Sequence, residues 1–255
     1  MYYLAFIIFG SLWGSFANVC IYRLPENKNV ITGRSSCPNC KNKIPWYDNI
    51  PLLSFILLMR KCRFCKKPID LQYFIVELIS AISFLSIYYF FGLTLAALLL
   101  LILSIFFIII FFIDLKHFII PNVLTFPLMV IGFIKSFDPN LNKAIFPNYI
   151  NSLIGGIFGY LIIWLIIYFY KKVRKKEGMG LGDAKLMAVI GFWFGWISIP
   201  FVIFISSVVA LILVIPSLIN KSRAMSSEIP FGPYIISATV IYLFFSDILK
   251  NFLIY

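Results

Sequence analysis

The chain has 255 residues, enough for one large or two modest soluble domains, yet 62 % of them are hydrophobic, 13 % are charged and 28 are Phe. Soluble globular proteins are about 45–50 % apolar, and a mean hydropathy of +0.97 excludes a compact water-soluble fold in favour of a polytopic membrane protein. The formal charge of +12 does not indicate nucleic acid, because that requires a basic face and the Lys and Arg residues cluster only between hydrophobic stretches.

About 20 apolar residues cross a bilayer as a helix, since no water is present there to satisfy backbone groups. The first predicted span runs from about Tyr3 to Tyr22 and stops at Arg23. Met1 leads into it without a basic n-region or an A-x-A-like site, so no cleavable signal peptide is expected. Residues 23–70 form a polar segment. Glu77 is the one charge between Leu71 and Ile113, a run that needs two helices with a break near Gly92. A fourth span is expected from about Phe118 to Ile134 and a fifth from about Tyr149 to Tyr170, ahead of a basic run at 171–176. The uncharged stretch between Lys185 and Lys221 again needs two helices, broken around Gly195 to Pro200, and the last span covers about Phe231 to Leu249. The predicted fold is thus all-α, with about eight transmembrane helices and a small loop domain at 23–70.

Positive charge orients these spans. With the N-terminus outside, 19 basic residues fall on inner loops, leaving Lys135, Lys143 and Lys250 outside. Gly10-x-x-x-Gly14 and Gly155-x-x-x-Gly159 are expected to be close helix-packing faces. The run Pro51 to Met59 is too short to cross and belongs at the interface or beneath the polar segment.

The polar segment carries Cys37-Pro-Asn-Cys40 and Cys62-Arg-Phe-Cys65. Two C-x-x-C knuckles at this separation suit a tetrahedral Zn²⁺, and the inner, reducing side disfavours disulfides. With Cys37, Cys40, Cys62 and Cys65 all ligands, no position remains for water or substrate, so the metal is structural: it organises a loop too small to make its own core. Cys20, near the end of the first span, reads as a small apolar residue.

Acids within spans are functional candidates. Asp114 ends the third helix in Phe-Phe-Ile-Asp, and Asp183 begins the sixth in Gly-Met-Gly-Leu-Gly-Asp. The topology puts both at cytoplasmic helix ends. Two carboxylates brought together in low dielectric cannot both ionise and so share a proton; such a dyad hydrolyses a peptide bond, one member activating water while the other polarises the carbonyl. Gly180 and Gly182 allow close backbone approach beside Asp183. Taken singly, Asp183 has an alternative reading as a helix cap and Asp114 as a partner of Lys116. Glu77 either faces the same cavity or pairs with a basic side chain. Lys185 either reaches lipid phosphate or tunes the dyad. The Gly-rich stretch 178–182 lacks a preceding strand and is no dinucleotide loop.

In this order the motifs resemble those of the prepilin peptidases, the type IV leader peptidases of bacteria. Gly14-Ser-Phe-Ala-Asn-Val-Cys-Ile-Tyr-Arg-Leu-Pro25 looks like the family's N-terminal signature. The cysteine pairs, Asn49 to Ser54, the Val-Glu-Leu around Glu77, Asp114 to Asn122, Gly178 to Leu186 and Ile229-Pro-Phe-Gly-Pro-Tyr234 follow. The resemblance implies an aspartic peptidase of the bacterial inner membrane. It would cut the basic leader from type IV prepilins or pseudopilins at the cytoplasmic face, after a glycine, with no nucleic-acid partner. It further implies N-methylation of the new N-terminal residue from S-adenosylmethionine, with residues 1–90 as the methyl-transfer region and 91–255 as the peptidase core. Three positions depart from the family pattern: Arg60 stands where many relatives have a glycine linked to methyl transfer, Phe74 replaces a proline, and Lys116 occupies an often acidic position. A Gly-x-Gly-Asp protease of the presenilin kind and a zinc-knuckle scaffold for pilus assembly are the competing classes. The first lacks the cysteine segment and the Ile-Pro-Phe-Gly-Pro signature.

Overall fold

The structure, a computed structural model, describes residues 2–31, 33–142, 145–175, 180–219 and 229–253. Lys143, Lys176, Lys221 and Arg223, which enter the charge-bias reading, and Gly178 of the second aspartate motif lie outside these. The helices in chain order are α1 (Tyr3–Arg23), α2 (Leu53–Leu57), α3 (Leu71–Phe91), α4 (Leu95–His117), α5 (Asn122–Ile134), α6 (Pro139–Asn142), α7 (Tyr149–Arg174), α8 (Leu181–Phe194), α9 (Ser198–Ile219) and α10 (Gly232–Leu253). Among the described residues β-pairing is limited to two isolated bridges.

Five of these helices, α1, α3, α4, α7 and α9, are long and apolar enough to cross a bilayer, as composition predicted. The 14 residues of α8 rise only about 21 Å, short of the roughly 30 Å hydrocarbon core. Both long uncharged runs break at a glycine. Gly92 (φ +61°) ends α3 and Gly195 (φ +82°) ends α8, each in a backbone region that other residues enter at a cost. The fourth predicted span starts later than expected, because Phe118 (φ +56°) closes α4 by donating its N–H to Asp114 O at 2.9 Å, and the chain restarts helically only after extended Pro121. The fifth continues to Arg174, where cations in the last turn suit the negative end of the helix dipole.

The chain divides into two compact units, Met1–Ile109 and Ile110–Tyr255. In the first, α1 packs on α3 through both expected glycines. A Cβ at Gly10 would lie 2.7 Å from Ser80 O, and one at Gly14 would lie 2.7 Å from Glu77 Cα, so a larger residue at either would force the helices apart. One turn on, Asn18 Nδ2 donates to Tyr73 O at 3.0 Å. Asp70 caps α3 by accepting the Gln72 N–H at 3.0 Å, one of the orphan donors of a helix start.

In the second unit α8 is apolar all round and almost wholly buried, as such a helix must be. Gly155 and Gly159 of α7 lie against the Gly191 and Met187 backbone. At its far end α8 is pinned three ways. The Trp193 indole N–H donates to Leu128 O at 2.8 Å, Ser152 Oγ donates to Phe192 O at 2.7 Å, and Lys135 Nζ donates to Trp193 O at 3.0 Å while lying 3.8 Å from the Phe146 ring centre. An ammonium at a helix C-terminus and over an aromatic face is favoured by both dipole and quadrupole. These contacts set the register of α8, whose opposite end carries Asp183.

Candidate active site and metal centre

Asp114 lies in the last turn of α4 and Asp183 in the first turn of α8, and both are buried, at 5 % and 7 % exposure. The two belong to the same unit. Asp183 stands at the third position of α8, and its N–H donates to the O of Gly180, the residue preceding the helix, at 3.2 Å. Its Oδ2 would lie 3.9 Å from a Cβ built at Gly180.

Asp114 is held from the C-terminal signature. The Gly232 N–H, at the start of α10, donates to Asp114 Oδ2 at 2.9 Å. This is one of the four N–H groups that a helix start leaves without internal partners, and the positive end of the dipole faces an anion. A Cβ at Gly232 would lie 2.7 Å from Asp114 Oδ2, so only glycine brings this N–H so close. Ile120 links the two halves: Cβ atoms at Gly182 and Gly232 would lie 3.5 Å and 3.2 Å from its Cδ1. Lys185 Nζ donates to Asn122 Oδ1 at 2.7 Å. It thereby ties the second aspartate motif to the end of the first.

Replacing Gly232 by Ala is expected to push the Asp114 carboxylate aside and lower kcat about 10- to 100-fold with little change in KM, since misplacement of a reacting group by about 1 Å costs up to 10²-fold. Steady-state kinetics at fixed enzyme abundance check this; an unchanged kcat would mean that the contact does not position Asp114.

Glu77 belongs to the first unit and is buried. Its carboxylate accepts the Leu52 N–H at 2.8 Å. Leu52 has φ +62°, a conformation costly for a branched residue. The buried acid thus holds the polar segment to α3 at the entry of α2.

In that segment Cys37, Cys40, Cys62 and Cys65 converge, their Sγ atoms all within 4.8 Å of one another. The cross-pair distances are 3.9 Å for Cys37–Cys65 and 4.0 Å for Cys40–Cys62. Four sulfurs each about 2.3 Å from a tetrahedral ion stand about 3.8 Å apart, so the donor set fits one metal ion. The knuckles repeat each other's backbone. Cys37 N donates to Asn42 O and Cys62 N to Lys67 O, Lys41 and Lys66 have φ +61° and +58°, and Ser36–Lys43 and Lys61–Pro68 form matching bridges. The sulfurs share their protons: burial pushes the Cys37 thiol up, but the Cys40 and Asn39 N–H groups and the neighbouring sulfurs bring it down to about 7, while the same sulfur contacts raise Cys40 to about 11. Between the knuckles Arg63 grips Asp48 with two hydrogen bonds of 2.6 Å, which hold the Asp48 carboxyl below its ordinary range. Arg60 sits at φ +60° with its Nε donating to Ile69 O at 3.0 Å. The conformation itself favours glycine, the residue expected there from the family pattern.

Sequence reasoning did not single out Gly232, Ile120, Asn122 or Leu52. All four lay within quoted motifs, but the partners of Gly232 and Asn122 are 118 and 63 residues away.

Buried acids at helix ends, a four-thiol centre and bilayer-length helices define a membrane protein with the parts of a peptidase. Two family models match the chain, the bacterial peptidase A24 N-terminal domain over residues 8–91 and the type IV leader peptidase family over residues 101–215. Curated relatives named prepilin leader peptidase/N-methyltransferase come from Pseudomonas aeruginosa (34 % identical, covering 94 % of this chain and 89 % of the relative), Vibrio cholerae (36 %, 96 % and 97 %) and Legionella pneumophila (31 %, 99 % and 94 %). No solved structure matches the chain. The chain belongs to the type IV leader peptidase family.

Proposed function

We propose that this protein cleaves the leader from type IV prepilins or pseudopilins and methylates the N-terminus so exposed. The observation that carries the peptidase reading is the pair of buried carboxylates, Asp114 and Asp183, at helix ends within one packed unit, Asp114 fastened by the Gly232 N–H. One carboxylate, ionised, takes a proton from water as its oxygen attacks the scissile carbonyl; the other, protonated, donates to the carbonyl oxygen. The proton taken from water then passes to the leaving amine as the C–N bond breaks. Gly180 leaves room for an extended substrate backbone beside Asp183, while Gly182 admits the Ile120 side chain that packs against α8. Lys185, through Asn122, and Gly232 position the pair.

In this reading eight helices lie in the bacterial inner membrane, the short α8 enclosed among the others, with the N-terminus outside and both acids opening to the cytoplasmic face. Residues 91–255 form the peptidase core and 1–90 the methyl-transfer region, with structural Zn²⁺ on Cys37, Cys40, Cys62 and Cys65. S-adenosylmethionine supplies an electrophilic methyl group when bound. Asn18 Oδ1 and Gln72 Oε1, buried acceptors without a partner, suit the ammonium and ribose hydroxyl donors of that molecule, and we assign them to its recognition. The substrate's apolar helix contributes most of the binding, because a chain of net charge +12 does not attract a basic leader.

The test is incubation of purified enzyme in lipid with prepilin and S-adenosylmethionine labelled in its methyl group. The expected result is a trimmed pilin carrying one labelled methyl on its new N-terminal amine. Trimming without label would leave a peptidase alone, and no trimming at all would end the proposal.

A further inference from the structure

The polar segment between α1 and α3 is poor in buried side chains and rich in exposed apolar ones. Among its described residues from Leu24 to Asp70 only Cys37, Pro51 and Cys62 are buried. By contrast Leu53, Ile56 and Leu57 of α2 are 58 %, 61 % and 79 % exposed, and Met59 just beyond is 81 % exposed. Leu53, Ile56 and Leu57 stand at i, i+3 and i+4 and so share one helix face. Trp46 and Phe64 add two exposed rings. Water is a poor environment for such a set.

The same segment is strongly cationic. Residues 23–70 hold ten Lys and Arg against three acids, and two of those acids are already engaged, Asp48 by Arg63 and Glu26 by Lys28. Arg60 and Lys61 directly follow the apolar helix, and Lys41, Lys43, Lys66 and Lys67 are exposed on the knuckles. Both ends of the segment are tethered to bilayer-length helices, α1 and α3, which keep it at a membrane surface whichever way the chain is oriented. An apolar helix face flanked by lysines beside a bilayer matches the chemistry of anionic headgroups over acyl chains.

We propose that the four-cysteine segment docks on the anionic phospholipid surface of its own membrane, with Leu53, Ile56, Leu57 and Met59 inserted among the headgroups and the surrounding lysines paired with lipid phosphates. The docking goes beyond the catalytic reading and requires neither cleavage nor methyl transfer. It gives the metal centre a mechanical purpose, since the knuckles rigidify the frame that presents α2.

The experiment places the photocrosslinker p-benzoyl-phenylalanine at Leu57 in the full chain. The protein is reconstituted in discs of phosphatidylcholine alone or of phosphatidylcholine with phosphatidylglycerol at about 3:1, irradiated, and its adducts are identified by mass spectrometry. The expected result is a lipid adduct at position 57, about fivefold more abundant in the anionic discs and suppressed at high salt. Lys43→Glu, Lys61→Glu and Lys67→Glu combined should lower it to the neutral-disc level with metal content unchanged. A crosslink to a peptide of this chain or of a second copy would overturn the proposal, as would no adduct in either disc or equal lipid adduct in both. The comparison between discs uses unchanged lysines, so it decides the matter even where the triple variant fails to fold.

Discussion

In membranes carrying Asp114→Asn or Asp183→Asn at wild-type abundance, prepilin should remain uncleaved, with the rate lowered about 10³-fold or more. A positioned acid–base group alone contributes 10²–10⁴-fold, and the two members of a proton-sharing pair act as a unit, so losing either removes both functions. Asn keeps the size of the side chain and, at position 114, can still accept the Gly232 N–H. Loss of activity therefore reports chemistry and not collapse of the fold. The double variant should be no slower than either single one. Immunoblots of leader removal over time provide the measurement, and wild-type cleavage by either single variant would dismiss the dyad.

Removing one cysteine from each knuckle, as Cys37→Ser with Cys62→Ser, should abolish metal binding and unfold residues 35–69 while α1 and α3 stay packed. The reason is the near absence of any other core, since Cys37, Pro51 and Cys62 are the buried residues among those described from Leu24 to Asp70. Structural zinc supplies an apparent 10–16 kcal/mol in small peptides at about pH 7, far more than the Arg63–Asp48 pair, whose Arg63 side chain is 48 % exposed, could replace. Elemental analysis should fall from one zinc per chain to none. Hydrogen exchange should lose the protection of the Cys37, Lys41, Cys62 and Lys66 amides, which close the two knuckles. A fully protected segment without metal would show that the cysteines are not its scaffold.

The membrane character, the glycine breaks and the cysteine knuckles were legible in the sequence because each rests on short-range physics. An apolar run must satisfy its backbone within itself, and this marks α1, α3, α4, α7 and α9 by hydropathy alone. Gly92 and Gly195 could be picked as helix ends because the left-handed conformation is a single-residue property. The C-x-x-C turns are equally local, and their repeat at a fixed offset announces a shared ion. The exact helix starts were less legible. Phe118 at φ +56° delays α5 to Asn122, and nothing in a run of apolar residues signals that a phenylalanine will adopt a glycine-like turn.

The sequence by itself determined the class of this protein, the four thiols and the two acids to which we assign its chemistry, since residue type and local spacing limit what such groups can do in lipid or in a small loop. Only the tertiary structure decided how they are held. Asp114 takes its hydrogen bond from Gly232, 118 residues on; Lys185 donates to Asn122, 63 residues back; and Glu77 fastens Leu52. The first two links form between helix ends that meet only after the chain has packed. A buried polar atom accepts whichever donor that packing brings within about 3 Å, and sequence distance carries no record of the choice.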